Sequence, residues 1–116
     1  MRNPTQCVLW NKINLTPTDL NLELLEVFVR ENRRERDLFR CRECGQLYFH
    51  EWYEHVYFKH DAFMYETYIP VDTREEVQKI STVKDSVGLM QFLPQLHGSF
   101  TNEKDQTLHW IEKVES

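Results

Sequence analysis

The clearest chemical signature in the chain is the run Cys41-Arg42-Glu43-Cys44-Gly45. Two residues between thiols let both sulfurs reach one ion, and a glycine after the second lets the backbone take a tight turn that side chains resist. Thiolates are soft donors that suit zinc, and a closed tetrahedral site needs two more ligands. His55 and His60 are the nearest suppliers, completing the pattern Cys-x2-Cys-x10-His-x4-His. The expected metal set is therefore Cys41, Cys44, His55 and His60 around a structural Zn2+.

Aromatic side chains crowd the same stretch, and several fall at telling positions. Phe39 stands two before the first cysteine, Tyr48 four beyond the second, and Trp52 three before His55. With Cys41, Cys44 and Gly45, these residues resemble the Cys2His2 zinc finger family over residues 39–60. The resemblance implies a zinc-bound hairpin and helix. Its fingers usually place about 12 residues between the second cysteine and the first histidine, and the ten here shorten the turn into that helix. The base-reading face of such a helix would carry Glu51 and Glu54, which repel phosphates, so nucleic-acid reading is not expected.

Residue preferences favour a different local structure. Leu47, Tyr48, Phe49, Trp52, Tyr53 and Val56 suit a strand better than a helix. Leu38–Arg42 and Leu47–Val56 then form a hairpin whose turn is the cysteine knuckle. In that arrangement His55 and His60 reach the ion only through the bend around Lys59, and Cys7, His50, Asp61 or His97 become substitute ligands. A second resemblance covers most of the chain: CRECGQLYFHEWYEH, followed by YIPV and a Glu-rich helix, is similar to small uncharacterised bacterial proteins, some of them suspected of toxin-immunity roles. It implies no enzyme activity and no residue assignment beyond Cys41 and Cys44.

Catalytic patterns are missing. His50-Glu51 followed by His55 is one residue longer than the metalloprotease pattern His-Glu-x-x-His, so the two histidines would not share a helix face. With three glycines in all, the chain has no phosphate-cradling loop and no nucleophile elbow. The cysteine pair has two other readings, unliganded buried thiols or a redox disulfide. The second lacks the following helix that would lower the first thiol's pKa. Cys7, in an apolar run, reads as a buried small residue.

The 116 residues suffice for one domain, 1–116, and no apolar run approaches the roughly 18 residues of a membrane span. No secretory signal opens the chain, and an odd three cysteines fit reduced or metal-bound thiols, so a cytoplasmic location is expected. A net charge of −5 opposes general nucleic-acid binding and suits a basic partner.

The elements that must position the knuckle follow from periodicity. Cys7–Ile13 reads as a strand. Thr16-Pro17-Thr18-Asp19 is a helix-start signal, and the leucines and valines after it predict a long helix over Pro17–Asn32. Met64–Val71 alternates as a strand, a short helix begins at Arg74, and Ser86–Leu96 supplies a second before Pro94 limits it. Leu96–Ser99 reads as a turn and Thr107–Val114 as a last strand. The expectation is an α+β domain: a small antiparallel sheet, a long N-terminal helix, two short helices and a zinc knuckle at a hairpin turn. Its expected role is non-enzymatic, an immunity or antitoxin-type inhibitor of a basic toxin or nuclease with Tyr48, Trp52, Tyr53 and Tyr57 as anchors. A nucleic-acid-binding finger and a metal-dependent hydrolase are the alternatives.

Overall fold

The cysteine turn joins two long strands in the computed structural model, which describes residues 2–10, 12–56, 62–101 and 106–112. Strand β2 is Arg34–Cys41 and β3 is Leu47–Val56, paired from Arg34 opposite Tyr53 to Arg40 opposite Leu47. The hairpin read from the sequence is thus present. The remaining strands among the described residues are β1 (Leu22–Arg30), β4 (Ala62–Val71), β5 (Gln95–Phe100) and β6 (His109–Ile111). All pair antiparallel in chain order, β1-β2-β3-β4-β5-β6. One α-helix, α1 (Arg74–Ser81), follows β4, and short 3-10 turns occupy Pro17–Asp19 and Val87–Gln91.

This corrects the expected α+β architecture with its long N-terminal helix. The start signal is real but closes one turn: the Thr16 backbone N–H donates to Asp19 Oδ2 at 2.8 Å, and the chain leaves that turn at Leu20 in an extended conformation. From Leu22 onward the residues expected to be helical form β1 against β2, from Leu22 opposite Cys41 to Arg30 opposite Glu35. Val27, Phe28 and Val29 are poor helix formers that suit a pleated surface, and the ladder offered by β2 outweighs the cap. Two further expectations change. Leu96–Ser99 belongs to β5 instead of a turn, and where the sequence predicts a strand over Cys7–Ile13, residues 7–10 form turns, with Cys7 N–H on Pro4 O at 2.9 Å and Trp10 N–H on Cys7 O at 3.0 Å. The helix expected within Ser86–Leu96 is the 3-10 turn.

Cross-strand partners share a face, so the register sorts the core into two layers. On one face Leu38, Phe49 and Ile69 line up across β2, β3 and β4 and pack beneath Val77 and Ile80 of α1 and Leu89 and Phe92 of the following loop. Helix α1 is fixed by a reciprocal cap, in which Thr73 Oγ1 accepts from Glu76 N–H at 3.2 Å and Glu76 Oε1 accepts from Thr73 N–H at 3.3 Å, and from Asp72 N–H at 2.7 Å as well. Arg36 ties this layer to the sheet by donating to the Val83 carbonyl at 2.6 Å and to Glu51 at 2.7 Å.

The opposite face carries Cys41, Tyr48, Tyr68 and Leu96, and the N-terminal segment lies across it with Cys7, Leu9 and Leu15. Full burial of residues such as Leu15 and Leu108 contributes roughly 2 kcal/mol each. Directed bonds fix the segment's register. Leu15 and Leu108 exchange backbone bonds at 3.0 and 2.6 Å, and Trp110 Nε1 donates to Leu9 O at 2.8 Å. The result brings residue 7 to the start of the β2–β3 turn.

Candidate metal centre

Cys41 ends β2, and Cys44 lies in the turn that follows. Gly45 has φ of 85°, a backbone conformation that costs other residues strain, and its N–H closes the turn on Cys41 O at 2.8 Å. Cys7 comes from the covering segment. The three Sγ atoms lie within 4.8 Å of one another, none is in a disulfide, and Cys7 and Cys41 are buried while Cys44 is exposed. Thiolates around one zinc sit roughly 3.8 Å apart, from the Zn–S bond length and tetrahedral angles. These three cysteines are close enough to bind a metal ion.

The electrostatics of the cluster are uneven. Burial pushes the Cys7 thiol up to about 12, against an opposing hydrogen bond in which Tyr48 Oη donates to Cys7 Sγ at 3.1 Å. Burial acts upward at Cys44 too, but hydrogen bonds from the Gln46 backbone and the other two cysteines outweigh it and hold that thiol below its ordinary value. A dication held among the sulfurs would supply the charge that removes the remaining protons.

The expected ligands are therefore brought together in part. Cys41 and Cys44 meet, and their third neighbour is Cys7. His55 stands at the other end of β3, opposite Phe63, eight residues and roughly 27 Å of strand from Leu47. His60 and Asp61, like the anchor candidate Tyr57, lie outside the described residues. His50 is buried on the sheet, with Nδ1 at 2.6 Å from Asp37 Oδ1 and Nε2 at 3.0 Å from Glu66 Oε1. His97 pairs through Nδ1 with Thr67 Oγ1 at 2.9 Å, and burial lowers its pKa. Of the remaining anchor candidates, Tyr48 is fully buried under the N-terminal segment, and Trp52 and Tyr53 are half-buried. Adjacent on β3, those two point to opposite faces.

Because Leu47–Val56 is a strand, the finger helix implied by the first resemblance does not form there, and Glu51 is a buried partner of Arg36 instead of an exposed acid. No family model, curated protein or solved structure matches the chain. Relatives thus lend no support to the finger or the immunity-type resemblance, and what the structure supplies is the three-cysteine cluster itself. Among the described residues no helix is long and apolar enough to cross a membrane.

Proposed function

We propose that this chain is a non-enzymatic protein-binding domain whose structural zinc, held by Cys7, Cys41 and Cys44, latches the N-terminal segment onto the sheet. The observation that carries the metal reading is the convergence of three thiols from two segments far apart in sequence, within 4.8 Å. Soft thiolates select zinc or copper(I) over harder ions. A metal at this point crosslinks the covering segment to the hairpin and contributes to folding outright.

The binding role draws support from β1. Leu24, Leu25 and Val27 are 46, 41 and 42% exposed within four residues of an edge strand, and contiguous apolar surface of this kind marks interaction sites. The β1–β2 ladder is irregular between Leu24 and Glu26 and again between Val27 and Val29. Such bulges discourage strand addition, so a partner meets this edge through side chains. The net charge of −5 favours a basic partner, in keeping with an immunity or antitoxin-type inhibitor.

Metal analysis of the purified chain tests the first half: one equivalent of zinc in the native protein and none in the Cys41→Ser, Cys44→Ser variant supports it, and a metal-free native protein overturns it. Capture from the native host tests the second. A basic protein retained by the native chain and lost with Leu25→Glu, Val27→Glu supports the binding role. Capture indifferent to those changes, or retention of nucleic acid alone, counts against it.

A further inference from the structure

Zinc among three thiolates has a fourth coordination position, and closed structural sites fill it with a protein donor. Among the described residues no fourth His, Cys, Asp or Glu joins the cluster. On one side Cys7 and Cys41 belong to the core that includes Leu9, Leu15 and Tyr48. On the other, Cys7 and Cys44 line a cleft of about 290 Å³ whose further walls include Arg2, Gln46 and Asp72. An ion seated among the sulfurs would lie beside that cleft.

Size and charge in the cleft narrow the ligand. At about 30 Å³ per water in the liquid, the space holds several times the volume of one solvent molecule, enough for a compound of amino-acid size. Arg2 and Asp72 present a cation and an anion side by side, with Arg2 Nε 2.9 Å from Asp72 Oδ2 and Arg2 Nη2 3.0 Å from Oδ1. The pair remains accessible, its side chains 64 and 35% exposed. A head carrying both a carboxylate and an ammonium matches this arrangement, and a thiol is the donor that suits an ion already bound by thiolates.

Resting on the metal reading above, we propose that the fourth position is open and takes a small exogenous aminothiol carboxylate, of which free cysteine is the simplest. Its sulfur ligates the ion, its carboxylate meets Arg2 and its ammonium meets Asp72. In the binding step the thiol releases its proton to solvent, a sulfur–metal bond forms and a metal–water bond breaks. Nothing is oxidised or reduced.

Cobalt(II) substitution makes the step visible, because sulfur-to-cobalt charge-transfer absorption reports how many thiolates are bound. The full chain loaded with cobalt and titrated with L-cysteine is expected to move from the absorption of three thiolates to that of four, saturably. Arg2→Ala or Asp72→Asn weakens the L-cysteine titration about tenfold, the size expected for one charge-assisted hydrogen bond, and leaves a 2-mercaptoethanol titration where it was. A cobalt protein whose spectrum L-cysteine does not change overturns the open position while the metal reading stands. Equal binding of L-cysteine and 2-mercaptoethanol overturns recognition of the charged head. Failure of cobalt to bind through the three cysteines removes the metal reading and this proposal together.

Discussion

His50 and Asp37 meet at 2.6 Å between Nδ1 and Oδ1 inside the sheet, and the other ring nitrogen of His50 lies 3.0 Å from Glu66 Oε1. Both nitrogens face carboxylates, so the doubly protonated ring is the state that satisfies both as donors. Tyr68 stacks on the ring at 4.4 Å and Phe39 meets it edge-on at 5.3 Å. Burial alone would depress the histidine, but the bonds to Asp37 and Glu66 outweigh it and raise the pKa from 6.5 to about 9. Because the folded value lies above the unfolded one, this stabilisation is complete below pH 6.5 and is lost as pH rises through 9. The urea midpoint should therefore fall between pH 7 and pH 10, and His50→Gln should flatten that fall. A native midpoint that stays level over this window would show that His50 is not held as the cation.

Arg36 and Glu51 form the second buried polar pair, on the opposite face of β2 and β3, with side chains 5 and 3% exposed. Arg34 reaches the same carboxylate at 3.8 Å, too far to replace Arg36. Removing one member strands the other: Arg36→Met should lower stability by about 3 kcal/mol or more, within the range for a broken buried pair. The double variant Arg36→Met, Glu51→Leu should recover much of that loss, since no charge is then left unpaired. Chemical denaturation of the two single variants and the double variant gives the coupling, and a double variant no better than Arg36→Met alone would show that the bond to Val83 matters more than the ion pair.

The hairpin and its cysteine turn were legible because local preference and tertiary context agree there: Tyr48, Phe49 and Val56 suit strands, and they are strand residues. At Pro17–Asn32 they disagree. Leu22, Leu25 and Val29 match a helical face as well as a bulged edge strand, and only the pairing with Arg36 to Cys41, invisible in the one-dimensional pattern, decides it. Cys7 drew notice as a substitute ligand, yet its position beside Cys41 depends on turns at Pro4 to Trp10 and on the Leu15–Leu108 bridge, contacts across about ninety residues. The Asp37–His50–Glu66 group had no sequence signal at all, because its spacing follows from strand register alone.

The proposed metal latch predicts a local response to chelation. Trp10 and Trp110 meet with centroids 4.8 Å apart, and Trp110 also holds the Leu9 carbonyl, so the segment's docking is reported by tryptophan. Stripping the ion, or Cys7→Ser, should shift emission to the red and expose residues 2–15 to protease while the sheet persists. Proteolysis that begins elsewhere, at an unchanged rate near the N-terminus, would show that the apolar contacts of Leu9 and Leu15 hold the segment unaided.

Gly45 and Gly98 separate backbone strain from crowding. At Gly45, φ is 85° and an added Cβ meets nothing within 4 Å, so Gly45→Ala should cost about 1 kcal/mol from conformation alone. Gly45→Asn should cost less, since asparagine tolerates this region. The same change should weaken metal binding in proportion, because the turn sets the spacing of Cys41 and Cys44. At Gly98 an added Cβ would stand 2.7 Å from Leu108 Cδ2 and 2.8 Å from the Thr107 carbonyl oxygen. The side chain can yield and the backbone cannot, so Gly98→Ala should cost about 2 kcal/mol or more by overpacking, with metal affinity unaltered. Thermal melts paired with zinc titrations of the three variants check this, and a Gly98→Ala protein that loses zinc as readily as Gly45→Ala would mean that the two ends of the covering segment act as one unit.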